Sequence, residues 1–368
     1  MPLLDLHAHF PMHTRFPPRF AHEPPPVGKE FLYWAAQHLL NYQDGKPRVS
    51  LNELLTGAEG GIGSVLYDPD DELLHGAAPR PEAFPNLLAQ MENVEKEVAG
   101  RVAVVRNPAE LRKRVEAGEK LLFHCVEGAF ALGGDAANAD VLAARGVAYV
   151  TVAHLFYRGV SACQNAFPGV PDSIFQSVLN AEQEGVAGLT DLGRSIVDRL
   201  LTNRIVIDVT HATDVAQDEM FDMARDHGQP VISSHNGVRS VSNYPLNLRP
   251  EAVARIAESG GLVGVILFPY WLRRPNEQFL GSEHIQLVFR TIRALHEITG
   301  SYDHIAIGSD LDGFIRPIEE CPDYAHTRQF VDLIRAEFPD AADRILWGNA
   351  LDVLERGWKG VPGDAQNT

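Results

Sequence analysis

Short apolar segments rich in β-branched residues alternate with helical patterns along most of the chain. This alternation is typical of βα units arranged around a parallel sheet. Eight segments have the length and composition of buried strands: Pro2–Leu6, Ile62–Tyr67, Lys120–Val126, Val147–Ala153, Arg204–Val209, Pro230–Ser233, Gly261–Phe268 and His304–Ile307. The pattern therefore predicts an α/β fold of the (β/α)₈ TIM-type barrel class.

Two helix starts can be placed from capping residues. Thr190-Asp191 precedes an amphipathic run over Leu192–Leu201, and Thr213-Asp214 precedes another over Val215–Asp226. A threonine side chain at the N-cap can accept a hydrogen bond from a free backbone N–H of the first turn. Both segments are predicted to be helices.

The pattern predicts one domain over residues 1–358, with an insertion at about residues 10–50. The insertion contains proline clusters and the aromatic run Phe31-Leu32-Tyr33-Trp34. Loops that follow barrel strands lie on the catalytic face, so this segment is a candidate lid. The alternatives are a segment that simply packs on the barrel or one that forms an oligomer contact. Residues 359–368 contain glycine and proline and are expected to form a disordered tail.

Composition excludes several classes of protein. The chain has 368 residues, 45% of them hydrophobic, and a formal net charge of -17, which would repel a polyanion and argues against nucleic-acid binding. No stretch approaches the roughly 20 apolar residues of a membrane helix, and the N-terminus lacks a signal-peptide pattern. We therefore expect a cytoplasmic protein that binds no membrane, with its three cysteines reduced.

The first strand ends in a histidine pair. His7 and His9 are separated by one residue, so on a strand both imidazoles point to the same side. The pair alone is a weak signal, because the chain has 15 histidines and some such pairs arise by chance.

Polar residues also end five other predicted strands. These residues are Glu127, His154, His211, His235 and Asp310. A single histidine or carboxylate in such a position is often structural, but barrel enzymes place their catalytic groups at the carboxyl ends of several strands. Six strands that end in this way indicate a metal site.

The ligand types indicate the metal. Imidazoles combined with a carboxylate favour zinc and its neighbours, whereas magnesium and calcium favour oxygen ligands alone. One glutamate among four histidines suits a bridge between two ions that share a water. We predict two zinc ions held by the following residues: His7, His9, Glu127, His211 and His235.

At this point the order of the motifs resembles the renal (membrane) dipeptidase family of metallopeptidases, within the amidohydrolase-like barrels. The resemblance runs from about Asp5 to about Arg356. Its pieces are Val126-Glu127-Gly128, Gly188-Leu189-Thr190-Asp191-Leu192-Gly193, the runs 207–211, 232–235 and 307–313, and Gly348-Asn349. The most discriminating is the Gly-Leu-Thr element before His211.

The resemblance implies a role for each site residue. Glu127 would bridge the two zinc ions, with His211 and His235 on one and His7 and His9 on the other. His154 would stabilise the tetrahedral oxyanion, and Asp310 would act as the acid/base that passes a proton to the leaving amine. The implied reaction is hydrolysis of a dipeptide or related small amide by a bridging hydroxide; a homodimer is left open.

This sequence departs from the family at three places. It has His-x-His on the first strand where the family has His-x-Asp, and Ile266-Leu267-Phe268 where the family shows Asn-Phe. Leu246 stands where the family places an arginine that grips the substrate carboxylate. Arg239 and Arg249 are the nearby replacements, and Phe268 is a further predicted substrate-binding residue.

Two alternatives use the same residues. A lactonase or phosphotriesterase-like enzyme, or a metal-dependent deoxyribonuclease, presents a similar ligand set on the same barrel, and the net charge disfavours the nuclease. A barrel that binds metal without catalysis would not require His154 and Asp310 in addition.

Overall fold

The computed structural model describes residues 2–15, 47–274, 277 and 283–361. Most of the predicted insertion at residues 10–50 lies outside these residues, so its role as a lid stays a prediction. Its described ends comprise the helix α1 (Met12–Arg15) and residues 47–50.

Nine parallel strands form one sheet. They are β1 (Pro2–Ala8), β2 (Glu59–Leu66), β3 (Ala103–Val105), β4 (Lys120–Glu127), β5 (Tyr149–Thr151), β6 (Val206–Asp208), β7 (Val231–Asn236), β8 (Leu262–Val265) and β9 (Ile305–Ile307). Eight of them follow the order β1-β2-β4-β5-β6-β7-β8-β9, whereas β3 pairs only with β4. The predicted eight-stranded barrel is confirmed.

Backbone hydrogen bonds beyond β9 bring the two ends of the sheet together. The N–H of His9 donates to the carbonyl of Leu311 at 2.9 Å, and the N–H of Asp310 donates to the carbonyl of His7 at 2.9 Å. The chain after β9 therefore lies against the end of β1. This contact places Asp310 beside the histidine pair.

Helices connect the strands and cover the outside of the sheet. After α1 they are α2 (Leu51–Thr56), α3 (Pro69–Leu73), α4 (Ala83–Val98), α5 (Pro108–Glu116), α6 (Asn138–Ala144), α7 (Asp172–Ile174), α8 (Asp191–Thr202), α9 (Asp214–His227), α10 (Pro250–Glu258), α11 (Pro269–Leu272), α12 (Ile285–Thr299), α13 (Thr327–Glu337) and α14 (Asn349–Gly357). Short π-helical segments cover Phe175–Leu179 and Arg344–Gly348.

Both predicted helix starts are confirmed. The Thr190 side chain accepts a hydrogen bond from the N–H of Gly193 at the start of α8, and Thr213 accepts one from Ala216 at the start of α9. A Cβ at position 193 would lie 2.1 Å from the carbonyl oxygen of Val160, so glycine allows α8 to approach the preceding loop.

Apolar side chains fill both sides of the sheet. One buried cluster takes residues from all eight barrel strands, including Leu6, Phe123 and Ile232. It also contains Trp358, whose ring centroid lies 6.2 Å from that of Phe123. A second, larger cluster joins strand residues to the helices. Lys359 and Val361 donate backbone hydrogen bonds to Arg204 and Arg106, while the remainder of the predicted tail lies outside the described residues. No described helix is long and apolar enough to cross a membrane.

Candidate metal centre and active site

Seven polar side chains predicted from the sequence meet at the carboxyl ends of the strands. They are His7 and His9 of β1, Glu127 of β4, His154 after β5, His211 after β6, His235 of β7 and Asp310 after β9. Each is at most 5% exposed. Parallel strands deliver these residues to one end of the barrel because all eight carboxyl ends lie on the same face.

Glu127 lies at the centre of the cluster. Its Oε1 is 3.3 Å from Nε2 of His7, 3.4 Å from Nε2 of His211 and 3.6 Å from Nε2 of His235. Its Oε2 is 3.1 Å from Nε2 of His9 and 3.2 Å from Nε2 of His154. One carboxylate therefore faces five imidazoles, with the two oxygens directed at different histidines.

The possible ligand atoms form three compact groups among the described residues. They are His7 with His9 and Asp310, Glu127 with His211 and His235, and His7 with Asp208 and His235; within each group the ligand atoms lie within 4.8 Å of one another. The first two groups share no residue, and Glu127 of the second group lies close to both histidines of the first group. Each group could hold a metal ion.

Two site residues have unusual backbone conformations. His211 and Asp310 have φ angles of 67° and 58°, in the left-handed region that side-chain-bearing residues rarely adopt. Such strain is often found where a side chain must be held at a functional site. At position 313 a Cβ would lie 1.8 Å from Oδ1 of Asp310, so Gly313 permits the Asp310 side chain to fold toward His9.

Hydrogen bonds to the outer ring nitrogen orient two of the histidines, His7 and His235. Ser234 Oγ lies 2.9 Å from Nδ1 of His235 and 3.2 Å from Nδ1 of His7, and Tyr149 Oη lies 2.9 Å from the same atom of His7. Ser234 Oγ donates to Asp208 at 2.6 Å. Contacts of this kind fix the ring so that Nε2 is presented to a metal.

Two further buried polar residues of these strands, Asp208 and His124, lie in different surroundings. Asp208 acts through Ser234, Thr151 and Thr210, each of which donates a side-chain hydrogen bond to it. His124 lies apart from the cluster, with Nε2 3.4 Å from the carboxylate of Glu95 on α4.

Burial and neighbouring charges shift the pKa values of the candidate metal ligands. Burial alone would raise the pKa of Glu127, but the neighbouring imidazoles of His154 and His7 hold that pKa well below its usual range. Burial holds the pKa values of His235 and His211 below that of a free imidazole. An ionised carboxylate and neutral imidazoles are the protonation states that metal coordination requires.

The donor set fits a metal centre. Within the described part of the chain, neither oxygen of Glu127 nor Nε2 of His7 makes a hydrogen bond of acceptable geometry, although all three atoms are buried. Unsatisfied buried polar atoms are costly, and coordination to an ion would satisfy them. Nitrogen donors combined with carboxylate oxygens match zinc and similar transition metals.

A cavity of about 330 Å³ opens beside this cluster. His154, His211, Asp310 and Gly313 form one part of its wall. Apolar side chains form the remainder: Leu73, Leu155, Phe156, Ala166, Phe167, Pro168, Val170, Leu179, Phe268, Trp271, Phe314 and Ile315. Trp271 also stacks on His235, with ring centroids 6.4 Å apart. The cavity joins the cluster to a mostly hydrophobic space.

The family can now be stated from a comparison of sequences. A sequence profile of the membrane dipeptidases, peptidase family M19, matches residues 1–358. The chain belongs to the membrane dipeptidase family. It is therefore a metallohydrolase of the M19 kind, as the motifs around Glu127, His211 and Asp310 suggested.

Solved M19 structures share the fold. A dipeptidase described as a metallo peptidase of family M19 superposes with a TM-score of 0.75 at 24% identity, covering 97% of this chain and 99% of that one. A metallo peptidase from Rhodobacter sphaeroides, bound to a phosphinate mimic of the dipeptide L-Ala-D-Ala, gives a TM-score of 0.73 at 22% identity, with coverage of 97% and 99%.

Curated relatives match this chain over part of its length. A Klebsiella pneumoniae protein encoded in the pqqA 5′ region is 27% identical, over 74% of this chain and 95% of its own length. An uncharacterized dipeptidase of Schizosaccharomyces pombe is 27% identical over 46% of this chain, and the match spans only 36% of that protein.

The arginines expected to replace the M19 carboxylate-binding residue are engaged elsewhere. Arg239 donates to both carboxylate oxygens of Asp214 at 2.6 and 2.7 Å, and Arg249 pairs with Asp218. Neither is among the residues that line the cavity, whereas Phe268 is. Leu246 is buried, with 1% of its surface exposed. Substrate binding by Arg239 or Arg249 stays a prediction.

The sequence did not identify Tyr67 and Glu72 as site residues. Both are buried beside His154, and Glu72 Oε2 lies 2.6 Å from Nδ1 of that histidine. The signal was available, because these residues follow β2 and so lie at the same end of the barrel as the ligands. The run Asp68-Pro69-Asp70-Asp71-Glu72 instead has the composition of a solvated acidic turn.

Proposed function

We propose that this M19 chain is a di-zinc hydrolase that cleaves a dipeptide or a related small amide. The observation that carries the proposal is the position of Glu127 between His7, His9, His211 and His235, with each carboxylate oxygen facing different imidazoles. A glutamate in this position suits a shared ligand. His7 and His9 would hold one ion, and His211 and His235 the other.

When bound, the metal would supply Lewis-acid polarisation of the scissile carbonyl and would lower the pKa of an attacking water. His9 contributes a neutral ligand where the family has a carboxylate. The site is therefore less anionic, so a metal other than zinc is the principal alternative. Asp310, 3.3 Å from Nε2 of His9, offsets part of this difference.

His154 and Asp310 lie where they can act on the substrate. Both line the cavity, and His154 directs Nε2 toward Glu127 Oε2 at 3.2 Å. We assign His154 to donation of a hydrogen bond to the oxygen that becomes negative in the tetrahedral intermediate. We assign Asp310 to accepting a proton from the attacking water and delivering it to the leaving amine.

The cavity suggests the class of substrate. Among the described lining residues there is no lysine or arginine, and most of the wall is aliphatic or aromatic. A free carboxylate in such a space would lose its hydration without gaining a partner. We propose that the preferred substrate is a small amide with an apolar or blocked end. The same neutral wall also makes a lactone or neutral ester the second candidate.

A substrate panel tests the proposal. The zinc-loaded protein is assayed with L,L- and L,D-dipeptides, their C-terminal amides, N-acyl amino acids, lactones and a phosphotriester, with Glu127→Gln as the control for contaminating activity. Turnover of amides that is lost in the control supports the proposal. Turnover of lactones or phosphotriesters alone would assign the chain to the second candidate.

The cysteines and the net charge indicate where the protein acts and with which partners. The three cysteines are buried and unpaired, as expected of a protein from a reducing compartment, and the acidic net charge disfavours nucleic-acid partners. We propose a cytoplasmic enzyme with a small-molecule substrate.

A further inference from the structure

Glu72 is a buried carboxylate immediately behind the proposed oxyanion-binding histidine. It belongs to the short helix α3 after β2, and its side chain is fully buried. Burial of a carboxylate is costly unless hydrogen bonds or an opposite charge compensate it. The contacts of Glu72 therefore indicate why it is there.

The shortest contact joins Glu72 to His154. Oε2 of Glu72 lies 2.6 Å from Nδ1 of His154, while Nε2 on the opposite side of the same ring lies 3.2 Å from Oε2 of Glu127. Because Nδ1 is engaged, only Nε2 is available to a substrate. The ring thus lies between a fixed carboxylate and the reactive face of the metal centre.

Two further donors hold the Glu72 carboxylate in place. The N–H of Phe156 donates to Oε1 at 3.0 Å, and Tyr67 Oη donates to Oε2 at 2.9 Å. Arg158 donates to the backbone carbonyl of Glu72 instead of its carboxylate. Although burial would raise the pKa of Glu72, the charge of His154 holds it below its usual value. The carboxylate is positioned by neutral donors and directed at His154.

We propose that Glu72 is the positioning residue of His154, holding its ring so that Nε2–H points at the oxygen of the tetrahedral intermediate. The inference rests on the proposed function. An anionic partner at Nδ1 fixes the ring orientation and stabilises the positive charge that the ring carries as it donates from Nε2. Glu72 itself does not contact the substrate, so its effect falls on kcat more than on KM.

The neighbouring residue offers a matched control. Asp71 is also a buried carboxylate of α3, with 5% exposure, but it pairs with Arg80 at 2.6 Å. Asp71→Asn removes a buried charge from the same helix without touching His154. A general loss of α3 packing would affect both variants, whereas loss of the His154 contact affects only Glu72→Gln.

The test is a double-mutant cycle on the zinc-loaded enzyme. Glu72→Gln is expected to lower kcat by about 10- to 100-fold with KM within about threefold, with unchanged metal content. In the His154→Asn background the same substitution should have no further effect, because the partner is gone. Glu72→Asp keeps the charge but shortens the side chain, so its kcat should lie between those of the parent and Glu72→Gln. It replaces Glu72→Gln in the test if that variant does not fold. Asp71→Asn should match the parent.

The outcomes are distinguishable from failure of the proposed function. A parent enzyme that turns over no amide contradicts that function, and the pair is then judged by NMR of ¹⁵N-histidine-labelled protein. A low-field Nδ1–H signal of His154 that Glu72→Gln removes supports the pair, and its absence from the parent overturns it. With an active parent, a kcat effect below threefold, or one that persists in the His154→Asn background, overturns the inference.

Discussion

The Nε2 atoms of His211 and His235 lie 3.1 Å apart. Both also approach the same oxygen of Glu127, at 3.4 and 3.6 Å. Two neutral imidazoles that face each other through Nε2 gain at most one hydrogen bond, whereas a shared ion would use both lone pairs. The geometry of this pair is therefore the one expected of two ligands to a single metal ion.

Loss of His235 should empty one position, whereas loss of the Glu127 charge should weaken both. We expect His235→Ala to retain about one zinc per chain and Glu127→Gln to lose both ions together on dialysis, because a bridge is shared and a terminal ligand is not. Elemental analysis of both variants, prepared in parallel with the parent, measures the difference. Glu127→Gln that kept both ions and full activity would remove Glu127 from the centre.

Asp310 should matter for turnover more than for metal binding. Asn at this position keeps an oxygen near His9 but cannot accept a proton, so we expect kcat to fall by at least about 100-fold with most of the metal retained. Both kcat and metal content are measured on the same preparation. Because Asp310 also groups with His7 and His9, loss of metal from Asp310→Asn would instead make it a structural ligand.

The enzyme should show little preference for substrates that have a free C-terminal carboxylate. Because the described lining residues of the cavity include no lysine or arginine, a dipeptide should have no more than about a tenfold advantage in kcat/KM over its C-terminal amide. Arg239→Ala and Arg249→Ala should leave that ratio unchanged, since both arginines pair with helix α9. If the parent strongly prefers the free dipeptide and either variant abolishes that preference, the arginine concerned binds the substrate carboxylate and the prediction is wrong.

The barrel and the ligand cluster could be predicted because their signals are local. Each strand is a short apolar run, and a ligand such as His211 or His235 appears where the run stops, so strand periodicity locates both. Strand β3 (Ala103–Val105) was not predicted; it lies outside the eight-stranded order and pairs solely with β4. Helices α8 and α9 were also predicted from a local signal, because a capping threonine marks the start of each.

Contacts that depend on the path of a loop were not predictable in this way. Glu72 reaches His154 because α3 lies against the loop after β5, where Phe156 also donates to Glu72. The sequence offers no periodicity from which this contact could be predicted. The partners of Arg239 and Arg249 are likewise set by the packing of α9 against the loop after β7 and the start of α10. The positions of Arg239 and Arg249 in the sequence suggested that they bind substrate, whereas in the folded chain both pair with aspartates of α9.

The central claim is that catalysis depends on a pair of ions bridged by Glu127. The most direct test removes all metal with a chelator and returns zinc in measured equivalents, with amide hydrolysis followed at each step. We predict that activity is absent in the stripped protein, reaches its maximum at about two equivalents per chain, and is matched by two ions in elemental analysis. Full activity at one equivalent, or undiminished activity without metal, would contradict it.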